Sequence, residues 1–177
     1  MSSIYSAPPP PAPVNRHTIA VIVDNEPGVL ARIAGLFSGR GYNIESLTVS
    51  ETEHEAHLSR ITIVTTGTAA VVEQIKAQLE RIVPVHKVTD LTVSGPAVER
   101  ELALVKVVGQ GDERVEALRL AQAFGAKTVD ATLQSFIFEL TGSSDEVERF
   151  IHLMTQCGLI EVSRTGIAAL GRGADPM

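Results

Sequence analysis

An α+β chain of two consecutive βαββαβ sandwiches is the architecture the sequence predicts, and three observations carry it. Apolar runs that alternate as strands do are interleaved with stretches whose apolar residues recur at helical spacing. The order strand, helix, strand, strand, helix, strand is complete by Val93 and begins again at Leu102. Between the two passes lies Ser94–Val98 (S-G-P-A-V), whose Gly-Pro pair reads as a boundary between modules.

Taken in order, residues 1–15 hold S-A-P-P-P-P-A-P, which favours extended polyproline conformation, builds no core and is expected to be a disordered extension. Periodic sequence starts at His17. In His17–Asp24, Ile19, Val21 and Val23 share one face and Thr18, Ala20 and Ile22 the other, so this strand is expected to be buried on both sides. A helix follows on the stripe Val29, Leu30, Ile33, Leu36 and Phe37, closed by Gly39 and Gly41. Tyr42–Ser50 and Leu58–Thr66 read as a hairpin joined by the charged stretch Glu51–His57. Ala69–Ile82 is a second helix on Val72, Ile75, Leu79 and Ile82, stopped by Pro84, and Val85–Val93 is the fourth strand. The second module repeats the order with a strand at Leu102–Val108, a helix at Glu113–Phe124, strands at Ala126–Thr132 and Gln134–Leu140, a helix at Ser143–Gln156 and a strand at Leu159–Ser163. Ser143 followed three residues on by Glu146 is a capping box for that last helix. Both halves thus predict ferredoxin-like sandwiches, over residues 16–93 and 99–173.

Composition excludes several classes. The formal net charge is −6 and no lysine or arginine block occurs, which disfavours a phosphate backbone as partner. The βαββαβ order is shared with RNA-recognition modules, but those stack bases on aromatics of the first and third strands. Here those strands read T-I-A-V-I-V and S-R-I-T-I-V, without an aromatic. No apolar run approaches the roughly 18 residues of a membrane span, and the N-terminus lacks the order of a signal peptide, so a cytoplasmic location is expected. The single cysteine, Cys157, lies beside an apolar helix face with no histidine or basic neighbour and reads as packing. His54, Glu55 and His57 have the wrong spacing for an H-E-x-x-H metal helix and sit in a polar strand connection, so no metal is assigned. Val108-Gly109-Gln110-Gly111 opens like a dinucleotide fingerprint, but Arg114 stands at the third glycine and the strands around it do not form a parallel unit. No nucleophile–base pair or carboxylate dyad at helix spacing emerges, although catalytic sites assemble in space rather than along the chain.

The candidate site is the corner Asn25-Glu26-Pro27-Gly28-Val29. It places a proline and a glycine where a helix begins, and helix N-termini hold free amides and a favourable dipole for a small carboxylate. Pro27 is expected at the first helical position, where its missing N–H costs nothing, and Gly28 leaves the backbone open to a ligand. Asn25 and Asn43 are the polar candidates for an amino-acid ligand. Alternatively, such a corner simply turns a strand into a helix, and Asn43 satisfies local backbone.

The strings N-E-P-G-V-L-A-R and L-F-S-G-R-G-Y-N-I-E-S-L resemble the ACT domain of the regulatory (small) subunit of acetohydroxyacid synthase, also called acetolactate synthase. S-R-I-T-I-V from Ser59, V-E-R-E-L-A-L-V-K-V from Val98 and S-R-T-G-I-A-A-L-G-R-G from Ser163 are similar to the same family, so the resemblance runs from about residue 17 to about residue 173. It implies a noncatalytic subunit, a homodimer whose effector sites lie between two ACT domains, and valine as the feedback effector in branched-chain amino acid (isoleucine, leucine, valine) biosynthesis. The corner and Asn43 would then hold the effector, with Val29 and Ile44 beneath its branched side chain. The implied partner is a large catalytic subunit using thiamine diphosphate, Mg²⁺ and FAD; none of these cofactors is expected on this chain. The resemblance gives the second module to assembly and regulation. An ACT sensor of another amino-acid enzyme and a small autonomous ferredoxin-like enzyme are the competing readings.

Overall fold

The computed structural model describes residues 12–53 and 57–176, so the proline tract and His54 and Glu55 lie largely or wholly outside the described residues. The first module comprises β1 (Asn15–Asp24), α1 (Val29–Arg40), β2 (Ser46–Glu53), β3 (Leu58–Gly67), α2 (Ala69–Leu79) and β4 (Val85–Asp90), with strand order β2-β3-β1-β4. The second comprises β5 (Ala97–Val108), α3 (Asp112–Phe124), β6 (Lys127–Ala131), β7 (Ser135–Gly142), α4 (Ser144–Met154) and β8 (Leu159–Arg164), in the matching order β6-β7-β5-β8. A further strand, β9 (Ala168–Gly171), pairs with the start of β5. Among the described residues every strand pairing is antiparallel, whereas a dinucleotide fold needs a parallel crossover.

Each module has its own core. Ile19, Val21 and Val23 of β1 meet Val29, Ile33 and Phe37 of α1 and Val72, Ile75 and Leu79 of α2. Leu30, one residue off the α1 stripe and therefore about 100° around the helix, is exposed rather than buried. In the second module Val105 and Val107, Phe136 and Phe138 pack beneath Ala117, Ala121, Val147, Phe150 and Met154. The capping box of α4 is formed, with Ser143 N–H donating to Glu146 at 3.0 Å and Glu146 N–H to Ser143 Oγ at 3.3 Å. Those bonds, the backbone one foremost, hold the Glu146 carboxyl below its ordinary pKa. Gly109 and Gly111 serve a turn, with Gly111 at φ 57° as N-cap of α3. Arg114 stacks 3.7 Å from the Phe136 ring centroid and donates to the Thr132 carbonyl at 2.6 Å, so its place in the third-glycine position is structural. Cys157 is buried, and desolvation followed by Glu116 and Glu113 pushes its thiol pKa up, as suits a packing residue.

Among the boundaries that differ from the sequence reading, three have a clear local reason. β2 starts at Ser46 rather than Tyr42, because Tyr42 closes α1 by donating its N–H to the Phe37 carbonyl at 3.0 Å and setting its ring edge-on to Phe37. Helix α2 stops at Leu79, and Arg81 and Ile82 make tight turns back to Gln78 and Leu79. β5 begins at Ala97 because Ala97–Arg100 pair with β9, so the strand starts inside the segment read as a boundary. The second face of β1 is buried by that addition: Ala20 joins Val64, Leu91, Ile167 and Ala169 in a small cluster between the two sheets. No helix among the described residues is long and apolar enough to cross a membrane.

Candidate functional site

The corner after β1 is built by backbone hydrogen bonds rather than side-chain caps. Asn25 N–H donates to the His57 carbonyl at 2.6 Å and Glu26 N–H to the Asp24 carbonyl at 2.9 Å, which bends the chain out of the sheet. Gly28 then adopts φ 89°, a left-handed backbone that serves as the N-cap of α1 without any side-chain cap bond. Pro27 is therefore in the turn before the cap and not at the first helical position, because the left-handed Gly28 between them cannot belong to the helix. The first i→i−4 bond of α1 runs from Arg32 N–H to the Gly28 carbonyl at 3.0 Å, so the amides of the first turn have no intrahelical acceptor, and of them Val29 N–H turns back to the Glu26 carbonyl at 3.5 Å. No acidic residue occupies that turn.

The corner is open. Asn25, Glu26, Pro27 and Gly28 are exposed while Val29 is buried, and a Cβ built on Gly28 meets nothing within 4 Å. Beside it, Asp24 and His86 lie 2.6 Å apart, and Arg32 donates to the Val83 carbonyl at 2.6 Å. The corner thus offers amide donors around a vacant approach, with Val29 as an apolar floor.

Asn43 and Ile44 are elsewhere in the protomer. The Asn43 carbonyl accepts from Thr65 Oγ1 at 2.6 Å, and Glu45 N–H donates to the Val64 carbonyl at 2.8 Å. Val64 pairs with Thr18, whereas the corner follows Asp24, which pairs with Leu58. Six residue steps of β1 separate those levels, about 20 Å at strand rise. Asn43 is exposed and Ile44 packs against the first core, so the structure groups Asn25–Val29 at one end of the sheet and puts Asn43 and Ile44 at the other.

In the order β2-β3-β1-β4, β2 is an edge strand. Val49 and Leu30 are 45% and 42% exposed, and Ala31, Gly35 and Gly39 leave the outer face of α1 nearly bare. Were two such edges joined antiparallel about a twofold axis, the Asn43 end of one β2 would lie beside the Glu51 end of the other, which is the corner end of that sheet. Among the described residues no group of three or more His, Cys, Asp or Glu is placed to hold a metal ion.

Comparisons with known proteins agree on one family. Residues 19–87 match the AHAS small subunit-like ACT domain, and residues 100–173 match the family described as small subunit of acetolactate synthase. The chain is 51% identical over 158 residues to a probable acetolactate synthase small subunit of Archaeoglobus fulgidus, covering 89% of this chain and 98% of that protein. It is 42% identical to the acetolactate synthase isozyme 3 small subunit of Salmonella typhimurium, covering 89% and 96%. The crystal structure of the acetolactate synthase small subunit from Thermotoga maritima superposes with a TM-score of 0.81 at 39% identity, over 91% of this chain and 99% of that one. With both modules matched, nearly whole-length relatives and the same tandem ferredoxin-like architecture, the chain belongs to the acetolactate synthase small subunit family.

Proposed function

We propose that the chain is the noncatalytic regulatory subunit of an acetolactate synthase, and that it activates a catalytic subunit and makes it sensitive to valine. That partner carries thiamine diphosphate, Mg²⁺ and FAD and condenses pyruvate with pyruvate or 2-oxobutanoate. The observation that carries the effector half of this reading is the split site: an open amide corner at one end of the sheet and Asn43 with Ile44 at the other, leading into the edge strand β2. The effector carboxylate meets the first-turn amides of α1 next to Gly28, where the dipole favours an anion. Asn25 of the same copy and Asn43 of the second copy supply side-chain oxygens for the ammonium, and Val29 and the second copy's Ile44 receive the branched side chain. Glu26 sits at the rim. Occupancy then depends on how two copies are arranged, so an effector that favours one arrangement shifts the population, and a coupling of about 1–3 kcal/mol is ordinary for such a device.

Complementation between two defective copies tests the shared site. Asn43→Ala removes one amide from a desolvated site and is expected to weaken valine binding by about 1–3 kcal/mol, roughly 5- to 150-fold. Gly28→Asp blocks the corner. When the two variants are refolded together, each mixed dimer holds one intact site and one doubly damaged site. Calorimetry is then expected to recover tight binding in about a quarter of the sites, from statistical mixing of a twofold dimer. No recovery would mean that corner and Asn43 do not serve one site across two copies.

A further inference from the structure

The closing segment Ser163–Gly173 reaches across to the first module at the very point where β2 begins. Ile167 N–H donates to Ser46 Oγ at 3.1 Å, between residues 121 apart in sequence. Gly166 has φ +81°, and a Cβ there would stand 2.7 Å from Ser46 Oγ and 2.9 Å from Thr48 Oγ1, so only glycine fits against these two hydroxyls. Thr48 Oγ1 is buried without a hydrogen-bond partner, hemmed in by that turn. Ile167 and Ala169 are buried with Ala20, Val64 and Leu91, and Arg60 donates to the Ala169 carbonyl at 2.9 Å.

The same turn is tied to the second module. Thr165 N–H donates to the Leu102 carbonyl at 3.0 Å and Leu102 N–H to Thr165 Oγ1 at 3.1 Å, while β9 pairs with β5. Arg164 bonds Glu101 and, at 2.8 Å, Glu148; burial opposes its charge, but these carboxylates outweigh that and raise its pKa. A second link runs beside it. Arg16 lies 3.3 Å from Glu45 and 3.7 Å from Glu99, across a cleft of about 540 Å³ between the modules.

Ser46 stands three residues after Asn43, and the intervening chain is pinned to β3 by the Thr65 and Val64 bonds. The geometry points to the Thr165–Ile167 turn as the element that carries effector occupancy at Asn43 and Ile44 into the second module, with Ser46 and Gly166 as positioning residues. This rests on the valine reading above. A shift of the 43–46 segment on ligation moves Ser46, and a turn packed against it without clearance moves too. Thr165, bonded to Leu102, and β9, paired with Ala97–Arg100, then hand the displacement to β5, an interior strand of the second sheet.

Gly166→Ala and Ser46→Ala, each in the full chain, separate binding from response. Valine affinity is measured by calorimetry on the chain, and inhibition on its complex with the catalytic subunit. The expected result is affinity within about threefold of wild type with the inhibition midpoint raised about tenfold or more. A residue that merely shapes the site would weaken both by the same factor, and that outcome overturns the inference, as does inhibition unchanged in both variants. If Gly166→Ala fails to fold, Ser46→Ala, which deletes only a hydroxyl, decides by the same criteria. A wild-type chain that binds no valine sinks the effector reading and this inference together, whereas wild-type binding with intact coupling in the variants sinks this inference alone.

Discussion

Gly28→Asp is expected to abolish valine inhibition while activation of the catalytic subunit survives. Gly28 is the N-cap of α1 at φ 89°, where its backbone borders the amides assigned to the effector carboxylate. An aspartate there sets a second carboxylate against the first. Two unit charges 4 Å apart at an effective dielectric of 20 repel by about 4 kcal/mol, and even after screening by salt this predicts a loss of affinity of at least about 100-fold. The fold is expected to tolerate the change, since a Cβ at Gly28 meets nothing within 4 Å and aspartate visits the left-handed region more readily than most residues, at a cost of roughly 1 kcal/mol. Calorimetry on the folded variant checks it. Unchanged valine affinity would mean that the carboxylate binds elsewhere.

A chain truncated before Gly95 is expected to fold and bind valine but to inhibit the complex poorly. The first core draws all its members from residues 19 to 88, so the module has what it needs to fold alone. It is nevertheless weakened. The cut removes Ile167 and Ala169 from the cluster over Ala20, Val64 and Leu91, and one buried isoleucine side chain is worth about 1.5–3 kcal/mol. It also deletes the bonds from Ile167 to Ser46 and from Arg60 to Ala169, and with them the route to the second module. A thermal melt, calorimetry with valine and a valine titration of the complex read the three parts of this expectation. Full inhibition by the fragment would leave residues 99–177 without a regulatory role.

What was legible in the sequence was what local periodicity dictates. The alternation of Ile19, Val21 and Val23 and the helical stripe of Val147, Phe150 and Met154 identify their elements because burial on one face selects the pattern directly. The tandem fold follows from the order of such elements, and the corner from Pro27 and Gly28. What escaped depends on partners distant in the chain. β9 is four residues long, A-A-L-G, and gains its strand character only by pairing with Ala97–Arg100. The 20 Å gulf between the corner and Asn43 is set by the register of β1 against β3, which no local string encodes. The closing S-R-T-G-I-A-A-L-G-R-G run was visible as a motif, but the reason for Gly166 is a pair of hydroxyls on β2.

Regulation without catalysis is decided by a single assay. Acetolactate formation is measured with this chain alone, with the catalytic subunit alone and with the two combined, each with and without valine. No turnover is expected from the chain alone, higher turnover from the mixture than from the catalytic subunit, and valine inhibition only in the mixture. Turnover by the isolated chain, or a catalytic subunit whose rate and valine response are the same with and without it, would rule that role out.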